Sequence, residues 1–154
     1  MKRETKRRSN IKKGIYIPDY NHDLHTIDEW MQYRFPKSAQ TVVLVSDFGM
    51  LEIAKECLPC AFNFEDAQKA AAEYREGFRC PTRHEAIEMD YAMFGGLDEV
   101  FKKIGGKSFT NEWTCEVILD PDFPNLAFAH SASWIRTYNK HDLHYVRPVS
   151  DFKK

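Results

Sequence analysis

The sequence predicts an α+β fold in which a β hairpin, a group of helices and an antiparallel β tail follow one another. Three observations predict it. Thr41-Val42-Val43-Leu44-Val45 is an unbroken apolar, β-branched run that reaches a turn at Asp47-Phe48-Gly49 and returns over Met50 to Ala54. Two helix patterns follow, separated by Gly77-Phe78-Arg79-Cys80-Pro81. From Phe109 onward the pattern is β, interrupted by a proline-bearing loop.

Taken in order, Gly14-Ile15-Tyr16-Ile17 is a short strand stopped by Pro18. Residues 18 to 26 are polar and turn-like. Ile27 to Tyr33 is a brief helix with Thr26 or Asp28 as its cap, broken by Pro36-Lys37-Ser38. The 41–45 run is apolar at every position, so both of its faces are expected to be buried. Asn63 caps the next helix, where Ala67, Ala70, Ala71 and Tyr74 recur at helical spacing and imply close approach to the layer beneath. Gly77 is expected to end that helix as a left-handed cap. Thr82 and Glu85 form a capping box for a second helix, with Ala86, Met89 and Met93 inward. Gly95-Gly96 separates a short third helix with Leu97, Val100, Phe101 and Ile104 inward, and Gly105-Gly106 stops it. The tail reads as strands over Glu112–Leu119, Leu126–Ile135 and Leu143–Val149, with a turn over Tyr138–Asp142.

The 154 residues, 43% hydrophobic and 14% aromatic, suffice for one domain with its own core, placed at 14–154. A net charge of −1 argues against nucleic acid as the main partner of the folded part. Residues 1–13 differ: Lys2, Arg3, Lys6, Arg7, Arg8, Lys12 and Lys13 stand against Glu4 alone. This basic arm reads as a solvated tether that could attach the domain to a larger assembly. No apolar stretch follows it as in a signal peptide, and none is long enough to span a membrane. The expected location is cytoplasmic or on a virion, and the four cysteines fit reduced thiols.

Asp66-Ala67, Gly77-Phe78-Arg79-Cys80-Pro81-Thr82-Arg83-His84-Glu85, Gly105-Gly106, Glu112-Trp113-Thr114-Cys115, Ala127-Phe128 and Tyr145-Val146-Arg147-Pro148-Val149 follow one another over roughly residues 40 to 152. This ordered set resembles the C-type-lectin-like domains of bacterial and phage proteins, the group related to DUF1566 and to the variable proteins of diversity-generating retroelements. Phe78 stands where the family has Trp, and Cys80 where it has Leu. The resemblance implies two main helices, an antiparallel sheet and long C-terminal loops. It implies a non-catalytic binding or display domain for a protein or glycan ligand, carried on a phage particle or encoded by bacterial mobile elements, with the ligand surface before Val-Arg-Pro-Val. Trp134, Tyr138, Asn139 and His141 are the first candidates for that surface. Arg79 and Arg147 lie in apolar surroundings and need partners if buried, so they are expected to hold loops through carbonyls and carboxylates. Trp113 is expected in the core.

Other chemistries were weighed on their residues. Cys57-Leu58-Pro59-Cys60 has redox spacing but no surrounding βαβ unit, and Cys80 and Cys115 lack zinc-knuckle spacing. His22-Asp23-Leu24-His25 recurs as His141-Asp142-Leu143-His144, a divalent-metal site if the copies meet. Asp120, Asp122 and Asn125 are the best oxygen cluster for calcium, split by prolines. His130 with Ser131 and Ser133 lacks a positioned acid and a nucleophile elbow. No catalytic residue and no cofactor is assigned. Two other readings stay open: a structural subunit contacting neighbouring copies, and a metal- or thiol-dependent enzyme.

Overall fold

The computed structural model describes residues 11–33, 38–109, 111–131 and 134–153. Most of the basic arm, the Pro36-Lys37 break and Ser133 lie outside them. The fold is α+β, with two antiparallel sheets rather than one.

The larger sheet has the order β2-β1-β3-β4-β8, from Leu24–His25 (β2), Gly14–Pro18 (β1), Thr41–Ser46 (β3), Gly49–Ala54 (β4) and Val149–Asp151 (β8). β3 and β4 form a hairpin in register from Thr41↔Ala54 to Ser46↔Gly49. Gly49 has φ 120°, which explains a glycine where the strand resumes. The period of two sends Val42 and Leu44 to one side of β3 and Val43 and Val45 to the other, and all four are buried. The first pair joins Leu51, Ile53, Met89, Leu97, Val100, Phe101, Ile104 and Val149 in the main core. The second joins Met50 and Phe152. β2 lies in the stretch read as turn.

Among the described residues, three of the four helices start at side-chain caps. α1 (Ile27–Tyr33) starts at Thr26, whose Oγ1 accepts from Glu29 N while Glu29 Oε1 accepts from Thr26 N. α2 (Phe64–Tyr74) starts at Asn63, whose side chain accepts from Asp66 N. α2 ends at an extended Arg75, and Gly77, φ 83°, instead forms the turn closed by Phe78 N to Arg75 O. The helix therefore stops one residue earlier than a glycine cap at Gly77 requires. α3 (Arg83–Ala92) carries both halves of the Thr82–Glu85 capping box. Past α3 the helix breaks at Gly95-Gly96 as expected: Gly96, at φ 113°, is non-helical and kinks the chain within Met93–Leu97 before α4 (Asp98–Lys103) begins.

The smaller sheet is β5-β6-β7, from Glu112–Val117, Leu126–Ser131 and Trp134–Asn139. Here the sequence reading needs correction twice. The single strand expected over Leu126–Ile135 is a hairpin pairing Ser131 with Trp134 and Leu126 with Asn139. The intervening Ala132-Ser133 offers no Gly, Asn or Pro as a turn signal in the sequence. The strand expected over Leu143–Val149 is not part of the meander, whose third place β7 already fills. Residues 143–148 run along the seam between the sheets, with bridges Phe62↔His144 and Glu112↔Tyr145, and only Val149–Asp151 forms a strand, on β4. Pro148 offers no N–H to a ladder, although its carbonyl accepts from Ala54 N.

Beneath the smaller sheet, Ala67 and Ala71 of α2 pack with Ala127 and Ala129 of β6 around Trp113 and Val146. Small residues on both layers permit that approach. Ala70 is only half-buried.

Candidate functional site

The seam between the sheets is organised by Arg147, which is fully buried. Its guanidinium donates to the carbonyls of Ala54 (3.1 Å), Lys107 (2.9 Å) and Ser108 (2.9 Å). Nη2 lies 3.5 Å from Oε2 of Glu112, itself buried. The rings of Phe101 and Phe109 lie 5.0 and 4.8 Å from Cζ. Nε has no hydrogen-bond partner among the described residues. Burial pulls the Arg147 pKa below its ordinary value, and the Glu112 carboxylate opposes that pull. One side chain thus ties the end of β4, the loop after α4, the start of β5 and the C-terminal segment.

Gly106 sets up this arrangement. A Cβ there would meet the Lys55 carbonyl oxygen at 2.3 Å, so only glycine lets the loop lie against β4. Lys107 N then donates to Lys55 O, which turns the next carbonyls toward the guanidinium.

Arg79 pins the second junction. Its two terminal nitrogens donate to Glu85 at 2.6 and 2.9 Å, and Nη2 also meets Asp151 at 3.4 Å. The bond to Glu85 raises the Arg79 pKa. Glu85 thereby serves the helix cap and the arginine together. A backbone bridge between Arg79 and Val149 places this pair beside β8.

The four ligand candidates do not form one surface. Trp134 opens β7 and is 65% exposed. Asn139 closes it, five residues on, which is about 17 Å along a strand. Tyr138 is half-buried and packs on His144 at 4.4 Å between ring centroids. The Asn139 side chain accepts from His141 N, closing the turn after β7. At that end lies a polar hollow of about 180 Å³ lined by Asn63, Glu65, Asn125, Lys140 and His141. Sequence reasoning missed Asn63, Glu65 and Lys140. They arrive because Phe64 N donates to Lys140 O, and Lys140 N to Asn125 O. No sequence spacing carries that information.

Under the hollow, Trp113 is fully buried and donates from Nε1 to Phe62 O at 2.7 Å. His144 stacks edge-on to it at 4.6 Å. His144 Nε2 is buried without a hydrogen-bond partner among the described residues, and burial lowers its pKa from 6.5. The folded chain therefore disfavours the proton that the unfolded chain accepts. Stability is full above pH 6.5 and falls as pH drops below it. We expect the melting temperature to drop between about pH 7.5 and 5.5, and His144→Phe to flatten that drop. Equal slopes in both proteins would remove His144 as the cause.

The two His-Asp-Leu-His copies do not meet in one site. His22 accompanies Phe152 and Lys153, with Nδ1 2.8 Å from Lys153 O. His25 bonds Asp19 at 2.8 Å. His144 lies under the other sheet, and His141 lines the hollow. Among the described residues no group of three or more His, Cys, Asp or Glu is placed to hold a metal. Asp120 accepts from Asp122 N in a local turn. His130 is buried and bonds Asp90 at 3.1 Å. Cys57, Cys60, Cys80 and Cys115 are free thiols, and burial pushes Cys80 up to about 12. No helix of the described residues is long and apolar enough to cross a membrane.

Compared with known proteins, the chain matches no protein-family model and no curated protein.

Proposed function

We propose that the chain is a non-catalytic, C-type-lectin-like binding domain that takes a small polar ligand group, of a glycan or a peptide, in the hollow at the end of β7. The observation that carries this reading is the hollow itself. Two amides, a carboxylate, an ammonium and an imidazole line it, the Asn63 oxygen already capping α2, so polar groups are presented without the entropy cost of ordering a loose loop. Among the described residues, three buried ionisable side chains are paired within the fold. Glu85 serves Arg79 and Thr82, Glu112 faces Arg147, and His130 faces Asp90. A thiol held near 12, as Cys80 is, makes a poor nucleophile. The return of the C-terminal segment to β4, after a separate three-stranded sheet has been laid down, also suits the resemblance seen in the motifs.

The test is a glycan and peptide array probed with the intact chain. Hits are expected to weaken about tenfold or more in Asn125→Ala and His141→Ala, a loss of roughly 1.4 kcal/mol, with unchanged circular dichroism. Hits retained at full strength by both variants would move the binding surface elsewhere.

A further inference from the structure

Helix α3 is apolar on two sides. Ala86 and Met89 face the core. On the opposite side Ile87, Tyr91 and Phe94 are 43%, 77% and 83% exposed, continuing the line of His84. Phe48, 53% exposed, meets the His84 ring edge-on at 4.3 Å. The outward side of a surface helix is normally polar. This one presents roughly 500 Å² of mostly apolar surface, near the top of the range a monomer exposes.

We propose that this face is the contact between two copies of the chain, packed with their α3 helices antiparallel about a two-fold axis. Two features fit a second copy. First, the stripe is self-complementary. An antiparallel pairing centred on Met89 sets Ile87 against Tyr91 of the second copy and His84 against its Phe94, and the axis repeats both contacts. Second, Gly95 has open space where a Cβ would stand, so it leaves room opposite Arg83 of the second copy. The area closes as well: two faces give about 1,000 Å², the threshold for a specific interface. The contact is independent of the hollow, whose lining includes no residue of α3.

Sedimentation velocity of the full chain from about 1 to 300 µM tests this. The mass is expected to rise from 18.1 kDa toward twice that value. Tyr91→Glu with Phe94→Glu is expected to weaken the association about 30-fold or more, with circular dichroism and melting temperature unchanged, since both side chains are exposed. The register has its own test in a background with Cys57, Cys60 and Cys115 changed to Ser. An oxidised mixture of Ile87→Cys and Tyr91→Cys chains should cross-link more than either variant alone. A monomer at every concentration, a dimer indifferent to the double substitution, or one that forms only after removal of residues 1–13 each overturns the proposal. The last outcome would assign the face to the basic arm.

Discussion

Arg147→Met is expected to destabilise the chain by about 3–5 kcal/mol, enough to unfold a large share of molecules of ordinary stability. Methionine fills much of the space and stays apolar against Phe101 and Phe109. It cannot satisfy the carbonyls of Ala54, Lys107 and Ser108, and it takes the guanidinium away from the buried Glu112 carboxylate. Urea denaturation of wild type, Arg147→Met, Glu112→Leu and the double variant separates these effects. The double variant should recover about 1–2 kcal/mol relative to Arg147→Met, because a buried carboxylate that has lost its guanidinium is gone while the orphaned carbonyls remain. A loss below about 1 kcal/mol in the single variant would mean that the arginine does not hold the seam.

Trp113→Ala should cost a similar amount, about 3–5 kcal/mol, through the cavity it leaves among Phe64, Ala127, Ala129 and Val146. Trp113→Phe separates packing from hydrogen bonding. It retains an aromatic ring against Phe64 but leaves the Phe62 carbonyl without the indole donor, a cost of about 1–2 kcal/mol. Phe62 directly precedes Asn63 and, through its isolated bridge to His144, adjoins the turn that bears His141. Ligand binding by Trp113→Phe should therefore fall while the protein stays folded, which distinguishes a supporting residue under the hollow from one that serves stability alone.

How much of this was legible in the sequence depends on distance along the chain. The capping box at Thr82 and Glu85 spans three residues, and the β3–β4 hairpin is a turn between two apolar runs, so both could be read directly. Arg79 and Arg147 stood out because guanidinium groups in apolar segments need partners, although the identity of those partners could not be read. Gly106 was read as a helix stop, whereas its reason is the Lys55 backbone against it, some fifty residues earlier. The β6–β7 hairpin was missed because its turn lacks the usual residues. That error displaced β7 and turned the seam segment into a strand. It also merged Trp134 with Asn139 and His141, which sit at opposite ends of one strand. The hollow depends on Asn63 and Lys140 meeting across the fold, a long-range contact that no local pattern encodes.

The central claim is that the two sheets form one rigid frame fastened at Arg147. Native-state hydrogen exchange read by NMR tests it most directly. The amides of Ala54, Lys107, Trp113 and Val149 donate to Pro148, Lys55, Tyr145 and Arg79, and so span both sheets and the seam. The account predicts that all four open only with global unfolding, at one common free energy, and that Arg147→Met lowers all four together. Exchange of Trp113 at a markedly lower free energy than Ala54 and Val149 would show the smaller sheet opening by itself, and would contradict the account.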